Sequence, residues 1–253
     1  MSLIKAFVTI QVALFVELAS RPPTPSVPKD QRKLREGPLH INVAMSYVRV
    51  CREPFEVLPS LILGSCQYLQ LTHAAIELLI LGCVKLETHW QSHLMEVITN
   101  FLLPYKNTAC IRLSPISIFG ATLAIFGAVG RLLCFKELGR HFTYDVAILK
   151  HHQLITSGPY SLVRHPSYIS GTIMHAGVLP WFFAKGSWCR ESGMLEQPIA
   201  WLLIVPTICL YVFAPLISMR RVKYEDELLK KEFGEEWDKW SHRVPYRLIP
   251  WVY

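Results

Sequence analysis

The sequence predicts an all-α integral membrane protein with about five transmembrane helices, and three observations point there. Of the 253 residues, 51% are hydrophobic, and the mean hydropathy is positive, a combination foreign to ordinary soluble domains. The apolar residues gather into runs of about 20, the length a helix needs to cross a bilayer. The basic residues concentrate between those runs and divide unevenly between alternate connections. That placement explains the net charge of +7 by topology, so no nucleic-acid partner is expected.

Taken in order, residues 1–19 are apolar apart from Lys5, Gln11 and Glu17. They read as a first span; the alternative, a secretory signal, has only Ala19-Ser20 as a cleavage candidate. Arg21 to Pro28 is proline-rich and reads as a stiff extended connector. Residues 29–40 are charged, and 41–56 are mixed and expected at the membrane surface. Val57 to Val84 is a long apolar run interrupted by Gln67, Gln70, His73 and Glu77. Glu77 should face other helices rather than lipid. Residues 85–113 form a polar connection with an apolar piece at 97–103. Residues 115–135 form a clear span in which Gly120, Gly127 and Gly130 permit close helix contact. A polar hinge over 136–168 follows, then an apolar run from Ile169 to Ala184 and a loop at 185–197. Pro198 to Ser218 is the last span, with Pro206 and Pro215 as expected kinks. The chain divides into residues 1–113, N-terminal spans and connections, and residues 114–253, the core with its hinge and tail.

Charge tests this count. Segments 20–56, 136–166 and 219–253 carry seven, four and eight Lys and Arg, whereas 85–113 and 185–197 carry three and two. Nineteen against five puts the hinge and the tail on one side, the cytosolic one. The two remaining cations, Lys5 and Arg131, lie inside apolar runs. Seven cysteines form no Cys-x-x-Cys pair or metal-ligand spacing, and they read as reduced thiols. His151-His152 has no nearby carboxylate or cysteine partner, so no metal is expected.

The hinge concentrates the chemistry. Gly158-Pro159 and His165-Pro166 interrupt any continuous helix, and in and beside this stretch lie Tyr160, Arg164, His165 and Tyr168. Polar, non-helical backbone beside membrane spans is tolerated where protein or water satisfies it, which usually marks a site. The simpler reading is a loop in which Pro166 opens the next helix. In the tail, Val222, Leu229, Phe233, Trp237 and Trp240 recur at roughly helical spacing, and Gly234 should break or offset that helix. Arg221 and Glu225 are four residues apart, so they share a helix face about 6 Å apart along the axis. In isolation such a pair is a surface ion pair worth a few tenths of a kcal/mol.

Leu154-Ile155-Thr156-Ser157-Gly158-Pro159-Tyr160, followed by Arg164-His165-Pro166-Ser167-Tyr168, resembles the signature of the isoprenylcysteine carboxyl methyltransferases. Glu137 to Thr143 does too, as do Arg221 with Glu225-Asp226, Phe233 to Trp237, and Arg243-Val244-Pro245. The likeness covers roughly residues 136–250. It implies methyl transfer from S-adenosylmethionine to the C-terminal carboxylate of a prenylated cysteine on proteins that ended in a CaaX box. It further implies a multi-pass protein of the endoplasmic reticulum membrane, in contact with lipid. Its cytosolic cofactor pocket would be formed by the hinge and the C-terminal amphipathic helix. Carried over by motif, His152, Gln153, Leu154, Ile155, Tyr160, His165, Pro166, Ser167 and Tyr168 would surround the cofactor. Glu225 would receive its ammonium group. Arg221 would bind the substrate carboxylate, with Arg164 and Arg243 as further catalytic candidates. One family contact stays unplaced within 145–149, and Pro159 departs from the family's usual apolar residue.

Three alternatives remain at this stage. A sterol-reductase-like protein shares Arg-His-Pro and an ending much like Val244 to Tyr253, but it is longer, and the Glu225-Asp226 pair after Arg221 argues against it. A phospholipid methyltransferase would act on an amine, for which Arg221 is less suited than for a carboxylate. A membrane adaptor would use hinge and tail to bind a partner without chemistry. The shared-side reading is testable: cysteines introduced within 145–150 and within 239–245 should label from the same face of the membrane. Labelling from opposite faces would dissolve the shared site.

Overall fold

The structure is a computed structural model describing residues 2–21, 32–33, 57–87, 93–104, 110–142, 148–149 and 152–252. Side chains are described for these except at 2, 32–33, 57–67, 87, 148–149, 210 and 214–221. Seven helices of nine or more residues dominate the described residues: α1 (Ser2–Ser20), α2 (Val57–Glu87), α3 (His93–Leu102), α4 (Pro115–Leu138), α5 (Pro166–Phe183), α6 (Trp201–Phe233) and α7 (Glu235–Arg243). The one sheet among them is a two-residue antiparallel pair, β1 (Arg32–Lys33) with β2 (Ile148–Leu149). The all-α expectation therefore holds.

Helix α4 begins where its sequence dictates. Pro115 occupies the first turn, where its missing N–H costs nothing. Ser114 and Ser117 exchange side-chain and backbone bonds of 2.8 and 3.2 Å, satisfying two otherwise orphaned amides. The helix ends at Gly139, φ +50°. Helix α5 runs antiparallel along it, because glycines let the backbones meet. A Cβ at Gly127 would lie 2.3 Å from the Met174 amide nitrogen, and one at Gly177 would lie 2.3 Å from that of Ala124. Around this seam Ala121, Ala124, Ala128, Met174, Val178 and Trp181 form the main core, joined by Val12, Val16 and Ala19 from α1.

Among the described residues, three segments are long and apolar enough to cross a membrane: Leu3–Ser20, Tyr68–Leu86 and Pro115–His141. The other two apolar runs are also helical, in α5 and in the first half of α6, where the apolar stretch Pro198–Phe213, which includes the short turn before α6, is shorter. The tail helix is not a separate element: α6 continues through Pro206 and Pro215 to Phe233, carrying the last apolar run directly into the charged tail. Gly234, φ +55°, then ends it and α7 restarts at Glu235, as the sequence pattern predicts. The surface placement of 41–56 and the connector at 22–28 lie outside the described residues.

Away from the hinge, α1 and α2 share a buried charge cluster. Lys5 and Glu77, both fully buried, approach to 3.3 Å, and His73 Nε2 also lies 3.3 Å from Glu77. Thr9 Oγ1 and the Trp188 amide donate to the two Glu77 oxygens at 3.1 and 2.9 Å, and Lys5 Nζ sits 4.1 Å from the centre of the Trp181 ring. Glu77 thus faces protein rather than lipid. A buried carboxylate that loses its cation is left uncompensated. Lys5→Met should therefore lower stability by about 3–5 kcal/mol, while Lys5→Met with Glu77→Gln should recover most of it. Thermal unfolding of the detergent-solubilised variants checks this; equal losses in both would remove the charge pairing as the cause.

Candidate active site

The hinge is held from two directions. From α4, Glu137 accepts a hydrogen bond from Ser157 Oγ. Gly158, φ +57°, sits so close that a Cβ there would meet the Glu137 carboxyl carbon at 3.0 Å. Only glycine satisfies both the left-handed backbone and that approach. The turn Gly158–Ser161 buries Tyr160 against Cys134, Trp237, Trp240 and Val244, with Leu154 and Ile155 packed alongside. The Trp240 indole N–H donates to the Tyr160 carbonyl at 3.3 Å. Burial, more than any neighbouring charge, pushes the Tyr160 hydroxyl pKa up, so it stays a neutral donor.

From the tail, Asp226 gathers three cations. Its Oδ2 lies 2.9 Å from Arg247 Nε and 3.4 Å from Arg164 Nη1, and its Oδ1 lies 2.9 Å from His165 Nε2. Two backbone bonds lock the same junction: Arg164 N–H donates to the Tyr246 carbonyl at 2.9 Å, and His165 N–H to the Arg247 carbonyl at 2.8 Å. Arg164 Nη2 adds a bond to the Pro245 carbonyl at 3.2 Å, and its guanidinium lies over the Trp237 ring. Next to Asp226, Glu225 approaches His165 Nδ1 at 3.4 Å and accepts a hydrogen bond from the Tyr168 hydroxyl. His165 therefore stands between two carboxylates. Burial opposes its charge, but the hydrogen bonds to Asp226 and Glu225 prevail and raise its pKa above the usual 6.5. For Asp226 burial would raise the pKa, yet His165, Arg164 and Arg247 together hold it below the ordinary carboxylate value.

Of the residues singled out in the sequence, Arg164, His165, Tyr168 and Glu225 meet in this cluster. Pro166 opens α5, with His165 as its cap. Ser167 is held by Arg131, whose Nη1 donates to its carbonyl and hydroxyl at 3.2 and 3.3 Å while Nε donates to the Ala19 carbonyl at 2.8 Å. His152 lies apart, its ring 4.9 Å from His141 and 5.9 Å from Phe233. Burial, then His141, lower its pKa to about 4 against an opposing pull from Glu232, so the ring is neutral at neutral pH. Gln153 is exposed. Arg243 is exposed at the end of α7 and is not among the side chains meeting Asp226. The Arg221 backbone lies in α6, but its side chain is outside the described residues, as are 143–147.

Sequence reasoning passed over three residues here. In sequence Asp226 is a neighbour of Glu225 with the same chemistry, Arg247 is one of eight tail cations, and Arg131 is a lone charge inside an apolar run. A cation in an apolar helix is the signal that could have marked Arg131.

Two features fit S-adenosylmethionine. The Glu225 side chain is partly exposed beside the cluster, which suits an ammonium group. The Nδ1 of His152 is buried with no hydrogen-bond partner in the structure, which leaves it free for a polar ligand atom such as those of adenine.

The segment spanning most of α4, the hinge and α5 is also where a likeness to a known family falls. Residues 120–190 match the isoprenylcysteine carboxyl methyltransferase family. The chain is 33% identical over 132 residues to protein-S-isoprenylcysteine O-methyltransferase B of Arabidopsis thaliana, covering 51% of this chain and 57% of that protein. It is 32% identical over 131 residues to a probable protein-S-isoprenylcysteine O-methyltransferase of Oryza sativa subsp. indica, 51% of this chain and 59% of the relative. The chain thus spans somewhat over half the length of these methyltransferase relatives. A Delta(14)-sterol reductase of Mus musculus is 32% identical over 101 residues, 40% of this chain but only 20% of the reductase.

The Asp226 clamp has a defined pH range. The Asp226 contribution is present above the ordinary carboxylate pKa and lost as pH falls through its depressed value. That of His165 is complete below about pH 6.5 and lost as pH rises through its raised value. Asp226→Asn should leave Arg164 and His165 short of a buried counter-charge, at a cost of about 3–5 kcal/mol. It should open the tail at neutral pH. Hydrogen exchange at the Arg164 and His165 amides reads this, and undiminished protection in the variant would refute the clamp.

Proposed function

We propose that the chain is an S-adenosylmethionine-dependent methyltransferase that esterifies the C-terminal isoprenylcysteine carboxylate of prenylated CaaX proteins. It would work as a multi-pass protein of the endoplasmic reticulum membrane with its site facing the cytosol. The observation that carries this reading is the junction of hinge and tail. Glu225 lies against His165 and Tyr168 at the mouth of the helix pair that matches the family. Five spans are proposed, α1, α2, α4, α5 and the apolar half of α6, supported by the packing of α5 along α4. Residues 114–253 form the catalytic core in this reading, and 1–113 the N-terminal spans.

The acceptor makes modest demands. A C-terminal carboxylate, with a pKa of about 3.5, is ionised at neutral pH, so no general base is required. S-adenosylmethionine, when bound, supplies a methyl group already activated on its sulfonium. The chain's own residues must bind, align and exclude water. Glu225, oriented by the Tyr168 hydroxyl and by His165, would take a cationic ammonium. His152, Gln153, Leu154, Ile155 and Tyr160 would line the rest of the pocket, with Pro166 and Ser167 closing it at the first turn of α5. Arg221, one helical turn before Glu225, would hold the substrate carboxylate, because a planar guanidinium binds both oxygens at once. Arg164 is occupied by Asp226, Pro245 and Trp237, so it positions the hinge rather than touching substrate. Arg243, exposed at the rim, is the weaker candidate. A sterol-reductase-like activity is the second reading, favoured by the likeness to the mouse enzyme over 40% of this chain.

The site residues should fail differently. Glu225→Ala should weaken S-adenosylhomocysteine binding by about 1.5–3 kcal/mol, since a desolvated ammonium loses its partner. Arg221→Lys should leave that binding nearly unchanged but sharply reduce methyl transfer to a prenylated N-acetylcysteine. Calorimetric titration beside a turnover assay separates the two. Near-normal turnover in Arg221→Lys would make it a surface cation, and binding of a nicotinamide dinucleotide in place of S-adenosylhomocysteine would favour the reductase.

A further inference from the structure

The turn that follows the clamp exposes a small apolar surface to which the proposed chemistry assigns no role. Trp251 is 85% exposed, Val252 76% and Ile249 42%, whereas Leu248 just before them is buried. The turn is closed by a bond of 3.2 Å from the Val252 amide to the Ile249 carbonyl. Trp251 has a φ of +63°, the only non-glycine residue with positive φ among those described. A bulky residue in left-handed backbone is strained, and such strain persists where the surroundings favour the resulting orientation. Here the strain turns a tryptophan outward, its ring 6.1 Å from that of Tyr246 between centres and tilted against it.

The position of the turn along the membrane axis follows from bonds already described. Helix α4 belongs to a segment able to cross the bilayer, Pro115–His141. The tail is packed at the end of that segment: Trp237, Trp240 and Val244 lie against Cys134 and Leu138, and Ser167 is bonded to Arg131. The tail carbonyls of Tyr246 and Arg247 are fastened to Arg164 and His165, immediately before Pro166 opens α5. Trp251 is four residues beyond Arg247, so it stays within about 14 Å of that point. Leu162, on the hinge and 69% exposed, lies four residues from Pro166. Tryptophan at this depth has a characteristic partner, since its ring favours the headgroup boundary, apolar on one side and wet on the other.

We propose that Ile249, Trp251 and Val252 insert into the lipid headgroup boundary beside the hinge, so that the membrane itself holds down the segment completing the clamp. The proposal rests on the membrane-spanning reading of α4 and α5 but not on methyl transfer. The test compares wild type with Trp251→Phe in bilayer discs made with phosphatidylcholine brominated near the headgroup end or near the terminal end of its acyl chains. The difference between the two proteins isolates Trp251. Trp251 is exposed, so the variant should fold normally. Most of the Trp251 emission should be lost with the shallow bromines, and markedly less with the deep ones. Loss to aqueous acrylamide alone would overturn the proposal, as would indifference to all bromines or an emission that follows the number of chains per disc, the sign of a second copy. Quenching is read without turnover, so an inactive chain quenched by shallow bromines would sink the methyltransferase reading alone. An active chain that is not quenched would sink the anchor alone.

Discussion

The site depends on one buried carboxylate. Asp226, 4% exposed, would be costly to bury alone, since a charge moved out of water loses solvation that only close partners restore. Arg164, His165 and Arg247 provide that compensation from three directions. Each partner comes from a segment without regular structure of its own, the hinge or the tail after α7. Their geometry is therefore set by the carboxylate on α6 rather than by local backbone preference. His165 transmits that constraint, because it caps α5 while its ring bridges Asp226 and Glu225. A shift of α6 would move cap, clamp and Glu225 together.

The clamp needs a rigid floor, which the α4–α5 seam provides. Backbone meets backbone at Gly120, Gly127 and Gly177, and contacts that close leave little freedom for sliding. Arg131 fastens this pair to the end of α1, where its cation meets the carbonyl of Ala19 in the last helical turn. The Lys5–Glu77 cluster fixes α1 to α2 and to the loop at Trp188 by similar logic. Two polar clusters, one at Arg131 and one at Lys5 and Glu77, thus tie together helices whose packed surfaces are largely apolar.

The same division clarifies why the chain is similar to methyltransferases and to a sterol reductase alike. Arg164, Asp226 and Arg247 build architecture and perform no chemistry in the proposed reaction. A clamp of this kind can support either activity. In the proposed reading, discrimination falls to the residues around it, above all Glu225 with its Tyr168 partner and the half-buried His152.

Much was legible in the sequence because membrane helices answer to local rules. Run length marks the five apolar runs that are helical in the structure, and Gly120 and Gly127 mark close contact in one of them; Pro166 and Gly234 mark a helix start and a helix break, because ring closure and positive φ act within a residue or two. Charge asymmetry predicts that hinge and tail share one side of the membrane and needs no coordinates; the bonds that join them are tertiary. What the sequence could not rank was which tail charges turn inward. Glu225 and Asp226 are neighbours of almost identical chemistry, and only the rotation of α6 against α5 decides that Asp226 becomes the buried hub and Glu225 the partly open carboxylate. Arg164 and Arg243 look equivalent as candidates, yet the bonds to Tyr246 and Pro245 draw the first inward, while the end of α7 leaves the second in the open. Helical phase and long-range docking settle such choices, and neither is written in residues near one another in the chain.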